Sequence, residues 1–156
     1  LGQAEMMADL YRVGLDRCGA VIGDIVCTLA DEGDSASVFH CGAGKDRTGL
    51  IAALLLGVVG VPYETIVADY ALTDDLFDDP NRNHGADDPL AIPTEADGGR
   101  VADVGPLPLY FFSCLPKTMS LALDFLDEEY DGVEGYLRTH GVTVEHFDRL
   151  RTKLLD

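Results

Sequence analysis

The part of the chain from residue 36 to residue 56 constrains the fold most strongly, because an apolar run, a glycine-rich loop and a second apolar run follow one another directly. Residues 36–40 are small and partly β-branched, which predicts a short buried strand. Residues 48–56 are almost entirely apolar and predict a buried helix. Between them, Cys41 and Arg47 are separated by five residues. We therefore expect a tight loop between a strand and a helix N-terminus.

A short loop in this position is suited to binding a phosphate group. Its successive backbone N–H groups can point inward and form a concave, partly positive nest, and the helix dipole adds a further attraction for an anion. Glycines permit the unusual backbone angles that such a curl requires. The residues that we expect to hold the phosphate are Gly42, Ala43, Gly44, Lys45 and Arg47.

Two other kinds of phosphate loop are excluded by particular residues. The ATP-binding loop requires Ser or Thr directly after its lysine and an earlier glycine, but this chain has Asp46 and Phe39 at those positions. The dinucleotide-binding loop requires a third glycine where this chain has Arg47. A large cation there would prevent the close packing of helix on strand.

The ten residues from His40 to Gly49 read HCGAGKDRTG and resemble the signature loop of cysteine-dependent protein phosphatases, specifically of the bacterial tyrosine phosphatase family. Shorter matches to that family occur at residues 60–62, 66–70, 132–137 and 141–142. The resemblance implies hydrolysis of phosphotyrosine, with phosphoserine, phosphothreonine and phosphoinositides left open as substrates. We expect neither a metal nor another cofactor.

The resemblance also implies an α/β cysteine-phosphatase fold. We expect one phosphatase domain over residues 1–156 that carries only the C-terminal part of this fold and is mostly helical around one central strand. Because a single strand does not stand alone in water, residues 36–40 are expected to pair with an N-terminal segment that the chain lacks.

The resemblance and the chemistry of the side chains together suggest individual roles. Cys41 would attack phosphorus as a thiolate and form a cysteinyl-phosphate. Arg47 would clamp two phosphate oxygens with its planar fork, a geometry that lysine cannot supply. His40 would orient the loop and tune the cysteine, and the Thr48 hydroxyl would donate a hydrogen bond to the thiolate and help it leave in the second step. For both residues, local capping of the loop is the alternative. Lys45 would add a second cation at the rim, which in similar enzymes accompanies activity on phosphoinositides.

The general acid is less well determined by the sequence. Asp46, inside the loop, is the first candidate because similar enzymes are thought to use an aspartate there. Its rivals are an aspartate of the acidic segment 74–115 and one in the absent N-terminal part. If no acid is present, the chain would be a phosphate-binding module that recognises phosphoprotein or phospholipid without turnover. An arsenate reductase would share the loop, but no pair of resolving cysteines is suitably placed.

Composition restricts the partners. About 47% of the residues are hydrophobic, which excludes a disordered chain, and no apolar run reaches the roughly 18 residues of a membrane span. The net charge of −17 opposes nonspecific binding to nucleic acid and to anionic membranes. It is expected to aid solubility, with adaptation to high salt as the alternative. No signal peptide is predicted, so we expect a cytoplasmic protein, with secretion left open because the N-terminal part is absent.

The four cysteines suggest neither a zinc site nor a disulfide scaffold. Cys18 and Cys27 fall in an apolar helical stripe and are expected to be core residues. The alternative, a protective disulfide from either residue to Cys41, is implied by the resemblance, since some phosphatases of this class form one.

The remaining sequence predicts helices. An amphipathic helix from residue 3 to residue 30 places Tyr11 in its apolar stripe, and its glycines at 14, 19 and 23 suggest close approach of another element. Pro62 opens a helix that buries Tyr70, and three further helices follow Pro116, Gly132 and Thr143. Residues 74–115 hold five prolines and predict an irregular segment, either a lid or a solvated loop.

Overall fold

A computed structural model describes residues 2–33, 35–77 and 113–155, apart from the side chains of residues 75–77. These parts of the chain form six helices: α1 (Gln3–Asp31), α2 (Asp46–Val58), α3 (Tyr63–Phe77), α4 (Pro116–Tyr130), α5 (Gly132–Thr139) and α6 (Val144–Leu155). All six were predicted, including the starts of α3 after Pro62, of α4 at Pro116 and of α6 after Thr143.

The six helices share one hydrophobic core. The long helix α1 packs against α4 and α6, α4 also contacts α3 and α5, and α2 lies between α3 and α5. Each helix contributes its apolar stripe, as the periodicity predicts. Among the largest fully buried side chains are Leu15, Leu54, Ile66, Leu123, Tyr136 and Phe147.

Two glycines of α1 allow the close approach that their spacing suggests. A Cβ atom on Gly19 would overlap the imidazole ring of His140, and a Cβ atom on Gly23 would overlap the backbone carbonyl of the same residue. Gly14 faces open space within 4 Å, so the prediction of close approach is wrong at that position. The residues after α5 are therefore seated directly on the α1 backbone.

The predicted strand at residues 36–40 is not found. No strand is assigned to this segment or elsewhere in the described residues, so the α/β class is not confirmed. Val38 is 91% exposed rather than buried. A strand requires a neighbouring strand to satisfy its N–H and C=O groups, and the described residues supply none. Pairing with an N-terminal segment stays a prediction.

The irregular segment predicted from residue 74 begins later than expected. Helix α3 extends to Phe77, so the first residues of the predicted irregular segment are helical. Residues 78–112, which contain the body of the predicted lid, lie outside the described residues.

Cys18 is exposed rather than part of the core, Cys27 is half-buried, and all four cysteines are free thiols. None of the described helices is both long enough and apolar enough to cross a membrane.

Candidate active site

The loop between residues 41 and 45 turns sharply into the first turn of α2. Gly44 adopts a φ of +69°, a left-handed conformation that glycine tolerates best. Lys45 is the last residue before the helix, and its carbonyl accepts the N–H of Gly49 at 2.7 Å. The N–H groups at the start of α2 have no partner within the helix. They are therefore available to an anion or to the thiolate at Cys41.

Cys41 and Thr48 are joined across the loop. The N–H of Cys41 donates to the Thr48 hydroxyl oxygen at 3.0 Å. Burial raises the pKa of the Cys41 thiol, but hydrogen bonds from the Thr48 hydroxyl and from the N–H groups of Thr48, Lys45 and Gly44 lower it by more. The resulting pKa of Cys41 is about 6. Cys41 is therefore mostly thiolate at neutral pH, the form that a nucleophile requires.

His40 contacts the loop through its ring. Its Nδ1 lies 2.9 Å from the carbonyl oxygen of Cys41. Since a carbonyl oxygen only accepts, Nδ1 carries the proton and donates it. The side chain is exposed. This contact fits a residue that orients the loop rather than one that removes a proton from Cys41.

Arg47 and Ala43 lie on the outer surface of the loop. Both residues are exposed. The Nη2 atom of Arg47 lies 4.0 Å from the position that a Cβ atom on Gly42 would occupy. One end of the guanidinium therefore lies close to Gly42, at the start of the loop.

Lys45 does not lie at the rim, so that expectation is wrong. The residue is only 3% exposed. Its Nζ lies 3.3 Å from Asp46 Oδ1 and donates to the carbonyl oxygen of Ser113 at 3.3 Å. A buried ammonium requires such partners to offset its lost hydration. Lys45 therefore supports the loop from inside.

Asp46, the predicted acid, is the first residue of α2, and its side chain is 33% exposed. Its Oδ1 accepts a hydrogen bond of 2.6 Å from the hydroxyl of Tyr11 on α1. Asp46 is close to Cys41 in the sequence. The structure also joins it to Tyr11, which is 35 positions away in the chain.

The sequence matches the tyrosine phosphatase family over residues 1–156. The chain belongs to this family. It is 34% identical over 136 residues to "Tyrosine-protein phosphatase" of Nostoc commune, and the alignment covers 81% of the chain and 41% of that protein. It is 31% identical over 158 aligned positions to "Triple specificity protein phosphatase PtpB" of Mycobacterium tuberculosis, and this alignment covers 96% of the chain and 54% of that protein. The chain thus spans about half the length of these relatives.

Two tyrosines beneath the tyrosine phosphatase loop, Tyr11 and Tyr70, were predicted from the sequence only as core residues. The hydroxyl oxygens of Tyr11 and Tyr70 are 2.7 Å apart, and Tyr11 also reaches Asp46. Both residues are buried. One signal was present in the sequence, since a buried tyrosine hydroxyl needs a polar partner. Which partner it finds depends on how α1 and α3 pack against α2.

Cys114 lies beneath the same loop but is a poor nucleophile. It is fully buried, and burial raises the pKa of its thiol to about 11. Its N–H donates to the carboxylate of Asp74 on α3. Among the described residues, no three His, Cys, Asp or Glu side chains are grouped so that they could hold a metal ion.

Proposed function

We propose that this chain hydrolyses phosphomonoesters, phosphotyrosine first among them, through a cysteinyl-phosphate on Cys41. One observation carries the proposal: hydrogen bonds from Thr48 and the loop N–H groups hold the pKa of the Cys41 thiol at about 6. Membership of the tyrosine phosphatase family supports the same reaction.

The first step would transfer the phosphoryl group to sulfur. The Cys41 thiolate attacks phosphorus, the S–P bond forms, and the bond from phosphorus to the ester oxygen breaks in line. Asp46 donates a proton to the departing oxygen, so that tyrosine leaves as a neutral phenol. Arg47 and the loop N–H groups stabilise the negative charge on the remaining phosphate oxygens.

The second step would release phosphate. Asp46, now a carboxylate, accepts a proton from water as the water oxygen attacks phosphorus. The S–P bond breaks and Cys41 leaves as a thiolate. The hydroxyl of Thr48, whose hydrogen bond lowers the pKa of Cys41, stabilises this leaving group. Each group has then returned to its starting state.

The substrate range extends this proposal. The M. tuberculosis relative is named as a triple specificity phosphatase, which favours acceptance of more than one class of phosphomonoester. We rank phosphotyrosine above phosphoinositides because Lys45, the cation that was expected to meet an inositol head group, is buried and paired with Asp46. Phosphoserine and phosphothreonine are tested beside them.

The experiment measures phosphate release from phosphotyrosine, phosphoserine, phosphothreonine and phosphoinositide substrates by the wild-type protein and by Cys41→Ser. We expect release from phosphotyrosine that Cys41→Ser abolishes, and phosphate covalently bound to Cys41 after rapid acid quenching. Cys18→Ser, which removes an exposed thiol of α1, is the matched control and should retain activity. Binding of phosphate without any release would contradict the proposal and favour the binding module instead.

A further inference from the structure

Two phenol groups and one carboxyl group, contributed by three helices, form a directed chain of hydrogen bonds beneath the loop. Tyr11 of α1 donates its hydroxyl proton to Asp46 Oδ1. Its oxygen lies 2.7 Å from the hydroxyl oxygen of Tyr70 on α3. A phenol has a single proton to donate, and Tyr11 gives its proton to Asp46, so Tyr70 is the donor of the second bond. The chain runs from Tyr70 through Tyr11 to Asp46.

The packing of α2 makes room for this arrangement. Tyr11 is 4% exposed and Tyr70 is 5% exposed. A Cβ atom on Gly49, in the first turn of α2, would lie 2.9 Å from Cδ2 of the Tyr70 ring. The two rings meet edge to face, with centroids 6.4 Å apart and an interplanar angle of 87°. Glycine at position 49 therefore lets Tyr70 reach under the loop.

Both phenols stay protonated under ordinary conditions. Burial is the main cause that raises the pKa of Tyr11 far above its usual value, and the neighbouring Tyr70 and Asp46 raise it further. Burial likewise raises the pKa of Tyr70 well above its usual value. The two hydroxyls are therefore donors throughout the pH range in which Cys41 is a thiolate, and the direction of the chain does not reverse.

We propose that Tyr11 and Tyr70 are positioning residues that orient the carboxyl group of Asp46 for proton transfer. Tyr11 and Lys45 both contact Oδ1, so we assign the proton to Oδ2. As the Oδ2–H bond breaks, the proton goes to the ester oxygen while the P–O bond breaks. The carboxylate that remains accepts a stronger hydrogen bond from Tyr11 than the neutral acid does. The inference rests on the proposed function, in which Asp46 is the acid.

A purely structural role for the two tyrosines predicts a different result. Loss of a buried hydrogen bond destabilises the fold and would affect every substrate to the same extent. Loss of acid positioning instead affects a substrate in proportion to how much its leaving oxygen needs a proton. Phenyl phosphate has a poor leaving group and p-nitrophenyl phosphate has a good one, and the two are similar in size. Comparison of the two substrates therefore separates the roles.

The test measures kcat/KM for both aryl phosphates with wild type, Tyr11→Phe and Tyr70→Phe. We expect Tyr11→Phe to lower kcat/KM for phenyl phosphate by about tenfold, part of the total for acid–base catalysis, and to leave p-nitrophenyl phosphate almost unchanged. Tyr70→Phe should act in the same direction but less, because it acts through Tyr11. Tyr136→Phe is the matched control, since it removes a buried hydroxyl that donates to Leu15 O at 2.9 Å.

The outcomes are distinguishable. Equal losses on both substrates, or no loss, contradict the inference alone. The tyrosine should act only through Asp46, so adding Tyr11→Phe to Asp46→Asn should not change the ratio of kcat/KM for the two substrates any further. A further change in that ratio also contradicts the inference. If thermal unfolding shows that Tyr11→Phe does not fold, Tyr70→Phe decides by the same comparison. Absence of Cys41-dependent hydrolysis by the wild type contradicts the proposed function, and this inference with it.

Discussion

Cys41 owes its low pKa to groups that are all close to it in sequence. The donors are the hydroxyl and N–H of Thr48 and the N–H groups of Lys45 and Gly44. Because these residues lie within one loop and one helical turn, the pattern of residues from His40 to Gly49 is sufficient to predict the environment of the thiol. No distant part of the chain is needed to supply a donor.

Replacement of Thr48 by alanine tests this environment. The thiolate would lose one hydrogen bond, so the pKa of Cys41 should rise from about 6 towards its ordinary value. We expect the midpoint of the pH dependence of iodoacetamide alkylation at Cys41 to rise by about one to two pH units, the effect of one hydrogen bond to a charged group. Thr139→Ala, which removes an exposed hydroxyl of α5 bonded to Gly135 O, is the control. An unchanged midpoint would contradict the assignment.

Replacement of Arg47 by lysine tests the phosphate clamp. Lysine keeps the charge but cannot form two parallel hydrogen bonds to phosphate oxygens. We expect kcat/KM for phosphotyrosine to fall by about 10²-fold or more, comparable with loss of an oxyanion donor, while the pKa of Cys41 is retained. Arg138→Lys, at the exposed pair with Glu134, is the matched control. Activity within a few-fold of wild type would exclude a bidentate role for Arg47.

The positions of Lys45 and Asp46 show where prediction from sequence stops. Tyr11 is 35 positions from Asp46, and Ser113 is 68 positions from Lys45. Residues so far apart meet only because α1 and the residues just before α4 pack against the loop. The sequence indicated that Lys45 and Asp46 belong to the loop, but not that the Lys45 ammonium is buried.

Helix α1 illustrates how a helix can be predicted correctly while its contacts are not. Its length and its buried face follow from the spacing of its apolar residues. The three glycines are equivalent in the sequence, yet Gly19 and Gly23 meet His140 whereas Gly14 meets nothing within 4 Å. Only the position of the residues after α5 distinguishes them.

Alanine substitutions at two of these glycines should have opposite effects on stability. At Gly23 the added methyl group would overlap His140 O, so we expect the free energy of unfolding to fall by about 1–3 kcal/mol. At Gly14 there is open space, and alanine should raise it by about 0.5–1 kcal/mol because glycine weakens a helix interior. Urea unfolding of the two variants measures both effects. Destabilisation at both positions would mean that packing at Gly23 is not the cause.

Within the part of the molecule that the structure describes, residues 36–40 keep an exposed side at Val38. Grooves of about 440 Å³ and 480 Å³ border the segment, one towards α1 and one towards α2 and α6. Both are lined partly by apolar side chains, and Val38, which lines the groove towards α1, is almost fully exposed. Helices could be predicted locally because they satisfy their own backbone groups. A strand could not, because its formation depends on a partner elsewhere.

Amide hydrogen exchange tests whether this segment pairs with an N-terminal strand. In the chain alone we expect residues 36–40 to exchange quickly, while amides around Leu15 in the core of α1 exchange slowly. In a protein that carries further residues before Leu1, exchange at residues 36–40 should become slow as a ladder forms. Equally fast exchange in both proteins would contradict the pairing.

The burial of Lys45 has a consequence for chemical labelling. Its ammonium is enclosed between Asp46 and Ser113 O, whereas the side chain of Lys117 is 63% exposed. Amine-reactive reagents should therefore modify Lys117 in the folded protein and reach Lys45 only after the loop has opened. The ratio of the two modified peptides in a mass spectrum becomes a built-in measure of how often the phosphatase loop opens, and it requires neither substrate nor catalysis.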